Sequence, residues 1–189
     1  MRIYGENYYL NTGLREILNQ LKREYKIDHH HKSSCIIAAS GMSLCEWYNL
    51  LVTVKPDHYA VFVVSQRFFE SISNFFPGMI KLCLHDDIST SEFRQALLTM
   101  HRLSSQNRMP RYCGPPIVLS SVEKQILGLY REGYNVDDIA RVRGVTSKTI
   151  CLQRSNLMKR LGVNSLQELL SFYDVILNHE IKKNRNHKF

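Results

Sequence analysis

Six basic side chains between positions 141 and 160 have the clearest chemical potential in this chain, because no Asp or Glu stands among them. A globular surface normally mixes both signs of charge, and a stretch of one sign is typical of an element that binds phosphate groups. The stretch predicts a nucleic-acid partner. Its basic residues are Arg141, Arg143, Lys148, Arg154, Lys159 and Arg160.

Holding these side chains outward requires helices, and capping residues and glycines divide the region into four of them. Gly133 and Gly144 supply stops after the first and second helices, and Val145 can fill the corner before the third. The first expected helix begins at a capping box in Ser120–Glu123, and the second runs from about Val136 to Arg143. The third runs from about Ser147 to Leu161 behind the N-cap Thr146, and the fourth runs from a second capping box in Ser165–Glu168 to about Asn178.

The third helix has two opposite faces at 3.6 residues per turn. Ile150, Leu157 and Leu161 share an apolar face that predicts packing inward. Such a helix can enter the DNA major groove, its N-terminal half reaching bases and its flanks touching phosphates, whereas a merely solvated basic helix is the alternative. The outward face carries Lys148, Leu152, Ser155 and Lys159, with Cys151 on one flank and Thr149, Gln153 and Arg160 on the other.

The fourth helix has an apolar stripe from Leu166 to Leu177, and Phe172 and Val175 lie off it. These two side chains are candidates for a dimer contact, although isolated exposed apolar residues are also common. The net charge of +8 is concentrated in residues 117–189, which hold 12 basic and 7 acidic side chains. This excess supports double-stranded DNA as the partner of the C-terminal part.

Length and composition allow one large domain or two small ones, with 189 residues, 44% hydrophobic and 22% charged. The five cysteines, at 35, 45, 83, 113 and 151, are scattered and never in C-x-x-C spacing, which favours a reducing compartment over a disulfide framework. The N-terminus lacks a long apolar run, and the longest such run, 59–64, is too short for a bilayer. We therefore expect a cytoplasmic protein without a membrane partner.

Residues 1–102 alternate short β-branched runs with amphipathic helical stretches, which predicts an α/β domain with a parallel sheet covered by helices on both faces. The expected strands are 2–4, 35–39, 58–65 and 79–84, and a helix is expected over 68–76. Three prolines make 103–116 the expected linker. An all-α helix-turn-helix domain over 117–180 and a basic tail over 181–189 follow.

The runs LSSVEKQIL, EGYNVDDIA and TSKTICLQRSNLMKRLGV resemble the LuxR-type helix-turn-helix domain at the C-terminus of NarL/FixJ-like bacterial response regulators. The resemblance implies that Cys151, Leu152 and Ser155 face bases, and it implies backbone contacts from the positions of Lys148, Thr149, Gln153 and Arg160. Gln153 stands where the family most often has His, which keeps a hydrogen-bond donor. Cys151 and Leu152 favour apolar contact with thymine methyls.

The N-terminal order resembles a response-regulator receiver domain, most closely in GMIKLCLHDDISTSEFRQAL. The resemblance places the phosphoacceptor at Ala39 or Ser40, and an acyl phosphate needs a carboxylate nucleophile, so we expect no aspartyl phosphate. The sheet is expected to be incomplete around 25–34. The other positions are also altered or weakened: Glu6 and Asn7 stand where paired acids hold Mg²⁺, and His85 replaces the conserved Lys, while Ser65 alone fits the receiver pattern.

Other residues suggest chemistry less well. His29–His31 lack the paired spacing of a zinc site, and Asp86 and Asp87 beside His85 suit a capped turn. We expect no catalytic residues, no cofactor and no metal. The sequence therefore predicts a sequence-specific, phosphorylation-independent transcription regulator.

Three alternatives concern how such a regulator works. The N-terminal domain could form a homodimer, or a heterodimer with a response regulator, and auxiliary regulators that pair with the phosphorelay regulator RcsB look similar in size and plan. Aromatic residues such as Trp47 leave a small-ligand sensor open, although they suit a core. The alternative from another class is a protein–protein adaptor that modulates another regulator without binding DNA specifically.

Overall fold

The computed structural model describes residues 2–25, 35–39, 41–56, 59–106, 112 and 114–186. Strands and helices alternate through the N-terminal domain, and four helices form the C-terminal one. The N-terminal elements are β1 (Arg2–Tyr4), α1 (Tyr8–Tyr25), β2 (Cys35–Ala38), α2 (Leu44–Val54), β3 (Tyr59–Val64), α3 (Gln66–Phe69), a 3-10 turn (Ser71–Asn74), β4 (Ile80–His85) and α4 (Thr90–Gln106). The C-terminal helices are α5 (Ser121–Arg131), α6 (Val136–Arg143), α7 (Ser147–Leu161) and α8 (Leu166–Asn186).

Within the described residues the four strands form one parallel sheet in the order β1-β2-β3-β4. The runs CIIA in β2 and YAVFVV in β3 are buried throughout, as expected of central parallel strands covered on both faces. Ile36 and Val61 face α1 and α4, whereas Ile37 and Phe62 face α2 and the 3-10 turn. The predicted α/β architecture is confirmed.

The expected helix over 68–76 is wrong, since α3 ends at Phe69 and a separate 3-10 turn follows. Phe68, Phe75 and Phe76 are all buried, and the rings of Phe68 and Phe75 pack against Trp47 of α2. A helix cannot continue through Phe75, because its φ of −85° and ψ of 142° are those of extended backbone. Phe76 accordingly adopts a positive φ of 49°.

The helices α6 and α7 begin and end at the predicted residues, and α5 begins with the predicted Ser120–Glu123 capping box. Two local expectations were wrong. Val145 does not fill a corner, because 38% of it is exposed. The helix α8 continues to Asn186, beyond the expected end near Asn178. The expected capping box is half formed, because the Ser165 hydroxyl accepts from the Glu168 amide at 3.1 Å while the Glu168 carboxylate accepts from the Asn164 amide at 3.2 Å.

The two domains pack against each other through one shared apolar cluster, which includes Trp47, Leu157 and Phe172. The Phe172 ring meets the Tyr48 ring edge-on at 5.5 Å, and Nε2 of His179 lies 2.7 Å from Oδ1 of Asn49. Phe172 is thus buried within the chain, which corrects its expected role as an exposed dimer contact. The partly buried Val175 packs against the same cluster.

Candidate nucleic-acid interface

Helix α7 is held at its N-terminal end by short polar contacts. The Thr146 hydroxyl accepts from the Thr149 amide at 3.2 Å, which confirms the predicted N-cap. The Ser147 hydroxyl donates to Oδ1 of Asp137 at 2.5 Å and so ties α7 to the start of α6. Asn135 in turn caps α6 by accepting from two amides. The turn between the two helices is therefore fixed by side chains as well as by Gly144.

The inner face of α7 is the predicted one. Ile150, Leu157 and Leu161 are buried, and Ile150 packs in a cluster with Ile126 and Ile139 from α5 and α6. Since three residues at helical spacing are held by the domain core, the rotation of α7 about its axis is fixed. The opposite face must then point to solvent.

The outer face of α7 carries an exposed mixture of basic, hydroxyl and apolar side chains. Leu152 is the apolar member and is 59% exposed. Contact with a thymine methyl is one role that such an apolar side chain can take. The exposed residues among those predicted to touch DNA are Thr146, Lys148, Cys151, Leu152, Ser155 and Lys159.

Three other predicted contacts are half-buried and engaged within the domain. Thr149 shares the N-cap, its hydroxyl lying 2.9 Å from that of Thr146. The Arg160 guanidinium donates to Glu123 at 2.7 Å and to the Val118 carbonyl at 3.3 Å. Oε1 of Gln153 is buried without a hydrogen-bond partner in a cleft between α5 and α7.

Three arginines of the one-sign stretch, Arg141, Arg143 and Arg154, were not assigned a contact from the sequence. The Arg154 guanidinium lies 5.9 Å from the Tyr130 ring centre, and burial raises the pKa of Tyr130, so the phenol stays protonated near neutral pH. Arg141 is 81% exposed and 3.3 Å from Asp138. The run of basic residues from 141 to 160 was the sequence signal that could have pointed to Arg141, which lies at the surface.

The residues predicted at the altered receiver positions do meet at one edge of the sheet, beyond the carboxyl ends of the parallel strands. Asn7 caps α1 by accepting from the Leu10 amide at 3.0 Å. The buried Ala39 presents its carbonyl to the Trp47 indole at 3.4 Å, and Ser65 precedes α3. The His85 ring stacks on Phe69 at 3.8 Å, and Glu6 is exposed.

Several predicted features fall outside the described residues, namely His29–His31, Ser40 and Cys113. Among the residues that are described, no group of three or more His, Cys, Asp or Glu side chains is arranged to hold a metal ion. In that same part of the chain, no helix combines the length and the apolar character that crossing a membrane requires.

Residues 117–173 match a known family, the bacterial regulatory proteins of the luxR family. This match covers α5, α6, α7 and the first part of α8. The C-terminal domain is thus similar to the luxR family. This match supports a DNA-binding transcription regulator, because the matched family is one of bacterial regulatory proteins.

The whole chain is similar to a curated protein and to solved structures. It is 21% identical over 190 residues to the uncharacterized protein YjjQ of Escherichia coli O157:H7, across 86% of this chain and 79% of YjjQ. It resembles the response regulator RcsB in complex with DNA, with a TM-score of 0.51 and 18% identity, across 93% of this chain and 98% of that one.

A structure of two RcsB dimers bound to two parallel DNAs gives a TM-score of 0.48 and 17% identity, across 93% of this chain and 98% of that one. At 18% identity, the likeness to the RcsB–DNA complex concerns the fold. It supports a receiver-like N-terminal domain ahead of the LuxR-type domain.

Proposed function

We propose that this protein is a sequence-specific regulator that inserts α7 into the DNA major groove and acts without phosphorylation, as a dimer with itself or with a response regulator. The observation that carries the proposal is the outer face of α7. Its side chains are exposed, while the inner face is locked into the domain core. A helix held in this way presents one fixed set of side chains to a groove.

The proposed contacts divide by side-chain chemistry. Lys148 and Lys159 neutralise phosphates, and Thr146 and Thr149 lie at the helix N-terminus, where backbone amides also favour a phosphate. Cys151, Leu152 and Ser155 face base edges. Gln153 and Arg160 flank this surface; a phosphate contact from Arg160 would have to be shared with its Glu123 partner.

Phosphorylation independence is supported by the side chains at the sheet edge. A receiver domain accepts the phosphoryl group on a carboxylate of its own, and Ala39 has no carboxylate. Its carbonyl is taken by Trp47, and the His85 ring stacks on Phe69. Packing and capping therefore engage Asn7, Ala39 and His85 among these positions.

The dimer partner is proposed to bind outside the central part of α8, because Phe172 and Ile176 of that helix are buried within the chain. A partner that competed for this face would first have to separate the two domains. Whether the partner is a second copy or a response regulator is what the following experiment decides.

Selection from a random duplex library with the purified full-length chain tests the proposal, run with and without acetyl phosphate. We expect one enriched motif that is the same in both arms. Two symmetric half-sites would mean a homodimer, and a single half-site would point to a second subunit of different sequence. A Leu152→Glu variant is the control. The exposed position should accept the charge without loss of folding, whereas the negative charge should prevent binding in the DNA groove.

The adaptor alternative gives a different result. The chain would then retain weak, salt-sensitive affinity for all duplexes and would enrich none. A motif that appeared only with acetyl phosphate would contradict phosphorylation independence while leaving DNA recognition intact.

A further inference from the structure

The C-terminal end of α7 lies against the N-terminal domain, and side chains of that domain bind its free carbonyls. Nε of Arg67, in α3, donates to the Gly162 carbonyl at 2.9 Å. Nδ2 of Asn74, in the 3-10 turn, donates to the Arg160 carbonyl at 3.3 Å. The last carbonyls of a helix have no partner within the helix, so these two bonds satisfy groups that the LuxR-type domain leaves open.

Arg67 also brings charge to this end of the helix. A cation near a helix C-terminus is stabilised by the partial negative charge of the aligned peptide dipoles. The same guanidinium pairs with Oε1 of Glu168 at 2.5 Å, at the start of α8. Arg67 therefore joins the end of α7 to the start of α8 from the other domain.

The contact depends on Gly162. Its φ of +71° is unfavourable for any residue with a side chain, and an added Cβ would lie 2.8 Å from Oγ of Ser71 and 3.2 Å from Cδ1 of Phe68. Both neighbours belong to the N-terminal domain. The residue that ends α7 thus serves a tight turn and a close approach between domains at once.

The segment that carries Arg67 is itself anchored to the sheet edge. The short helix α3 begins directly after Ser65, Phe68 is buried against Trp47, and Phe69 stacks on His85. Rings at the altered receiver positions hold the backbone of α3 in place. The position of Arg67 is therefore set by the packing at the carboxyl edge of the sheet.

We propose that the N-terminal domain supplies the C-terminal cap of the recognition helix, and that Arg67 and Asn74 are positioning residues for DNA recognition. This inference rests on the proposed function. Base contacts demand a fixed helix, whereas phosphate contacts tolerate small shifts. The closed arrangement of the two domains, with the outer face of α7 exposed, is then the form that reads DNA.

The test compares Arg67→Ala and Asn74→Ala with Arg15→Ala in the full-length protein. Arg15 is exposed on α1, which packs on the opposite face of the sheet, so its loss removes the same charge without touching the cap. Affinity is measured for the selected duplex and for a scrambled duplex at one salt concentration. Amide exchange at residues 159–161 is followed without DNA.

For Arg67→Ala we expect about fivefold weaker binding to the selected duplex, the size expected for one charged cap, and under about twofold change on the scrambled one. Asn74→Ala should change both readouts in the same direction but less. Exchange at 159–161 should be about fivefold faster, Arg15→Ala should alter neither readout, and Arg67→Lys should restore part of both because it keeps the charge.

Equal losses on both duplexes in Arg67→Ala and Arg15→Ala would reduce the effect to net charge and overturn the proposal. Faster exchange with unchanged discrimination would also overturn the positioning role, and so would no change at all. A wild-type chain that binds both duplexes alike would instead refute the proposed function, and the exchange data would still decide whether the cap exists.

Discussion

The carboxyl edge of the sheet and the outer face of α7 carry the two sets of residues that the sequence singled out, and the two sets differ in what their side chains touch. At the sheet edge, Ala39 is buried and His85 stacks on a phenyl ring. On α7, Lys148 and Ser155 are exposed. Ala39 and His85 thus make contacts within the protein, whereas Lys148 and Ser155 are available to a ligand.

This difference teaches how the framework of a receiver-like sheet can be present while side chains at its edge serve packing. The strands still bring the altered positions together, because the buried runs of β2 and β3 set the register of the sheet. At this edge, small and aromatic side chains such as Ala39 and His85 pack against the rest of the domain. A framework position then contributes to stability, whereas an exposed position on α7 contributes to binding.

Trp47→Ala should give the largest loss of stability among these variants. A small loss would contradict the comparison between the packed sheet edge and the exposed face of α7. Trp47 is fully buried among Phe62, Phe68 and Phe75. Its truncation should lower the free energy of unfolding by about 3–5 kcal/mol, through lost burial and the cavity that remains. Urea denaturation measures this change.

The matched variant for that experiment is Leu152→Ala, on the outer face of α7. Its unfolding free energy should stay within about 0.5 kcal/mol of wild type, because its side chain is mostly exposed. Similar losses in both variants would mean that α7 is stabilised by its outer face, contrary to the division proposed here.

Ser155→Ala should alter specificity without altering stability. The exposed hydroxyl is proposed to bond one base edge, so its removal should change the preference at one position of the selected motif by about 1–3 kcal/mol. Binding to single-base variants of the duplex measures it, with Asn156→Ala as the exposed neighbouring control. A uniform loss on every duplex would assign Ser155 to the backbone.

The parts of the fold that the sequence predicted are those with local causes. Thr146, Gly144 and Gly162 set the ends of α6 and α7 through capping and left-handed turns, and these bounds were right to the residue. Alternation of apolar runs located the strands of the sheet for the same reason. The outward set on α7 followed from helical periodicity alone.

The remainder depends on contacts between residues far apart in the chain. Arg67 and Gly162 meet across 95 positions, and no local pattern distinguishes Arg67 from any other surface arginine. Phe172 lies off the apolar stripe expected for α8, because that stripe was derived from packing within the C-terminal domain alone. Its burial required knowledge of α2. Arg160 was predicted as a DNA contact, and its ion pair with Glu123 became visible only in three dimensions.

Lys148→Ala should give the smallest change in affinity at low salt. It tests the proposed division of the α7 side chains into phosphate contacts and base contacts. Removing one phosphate contact releases about one fewer counterion on binding, so the slope of log affinity against log salt should fall by about one unit. Titrations of the selected duplex between low and moderate salt measure the slope, and Lys22→Ala on α1 controls for net charge. Because Lys148 acts on phosphates, the loss should be equal for all base sequences, in contrast to Ser155→Ala. An unchanged slope would remove Lys148 from the phosphate contacts and leave the N-terminus of α7 to bind through its backbone amides alone.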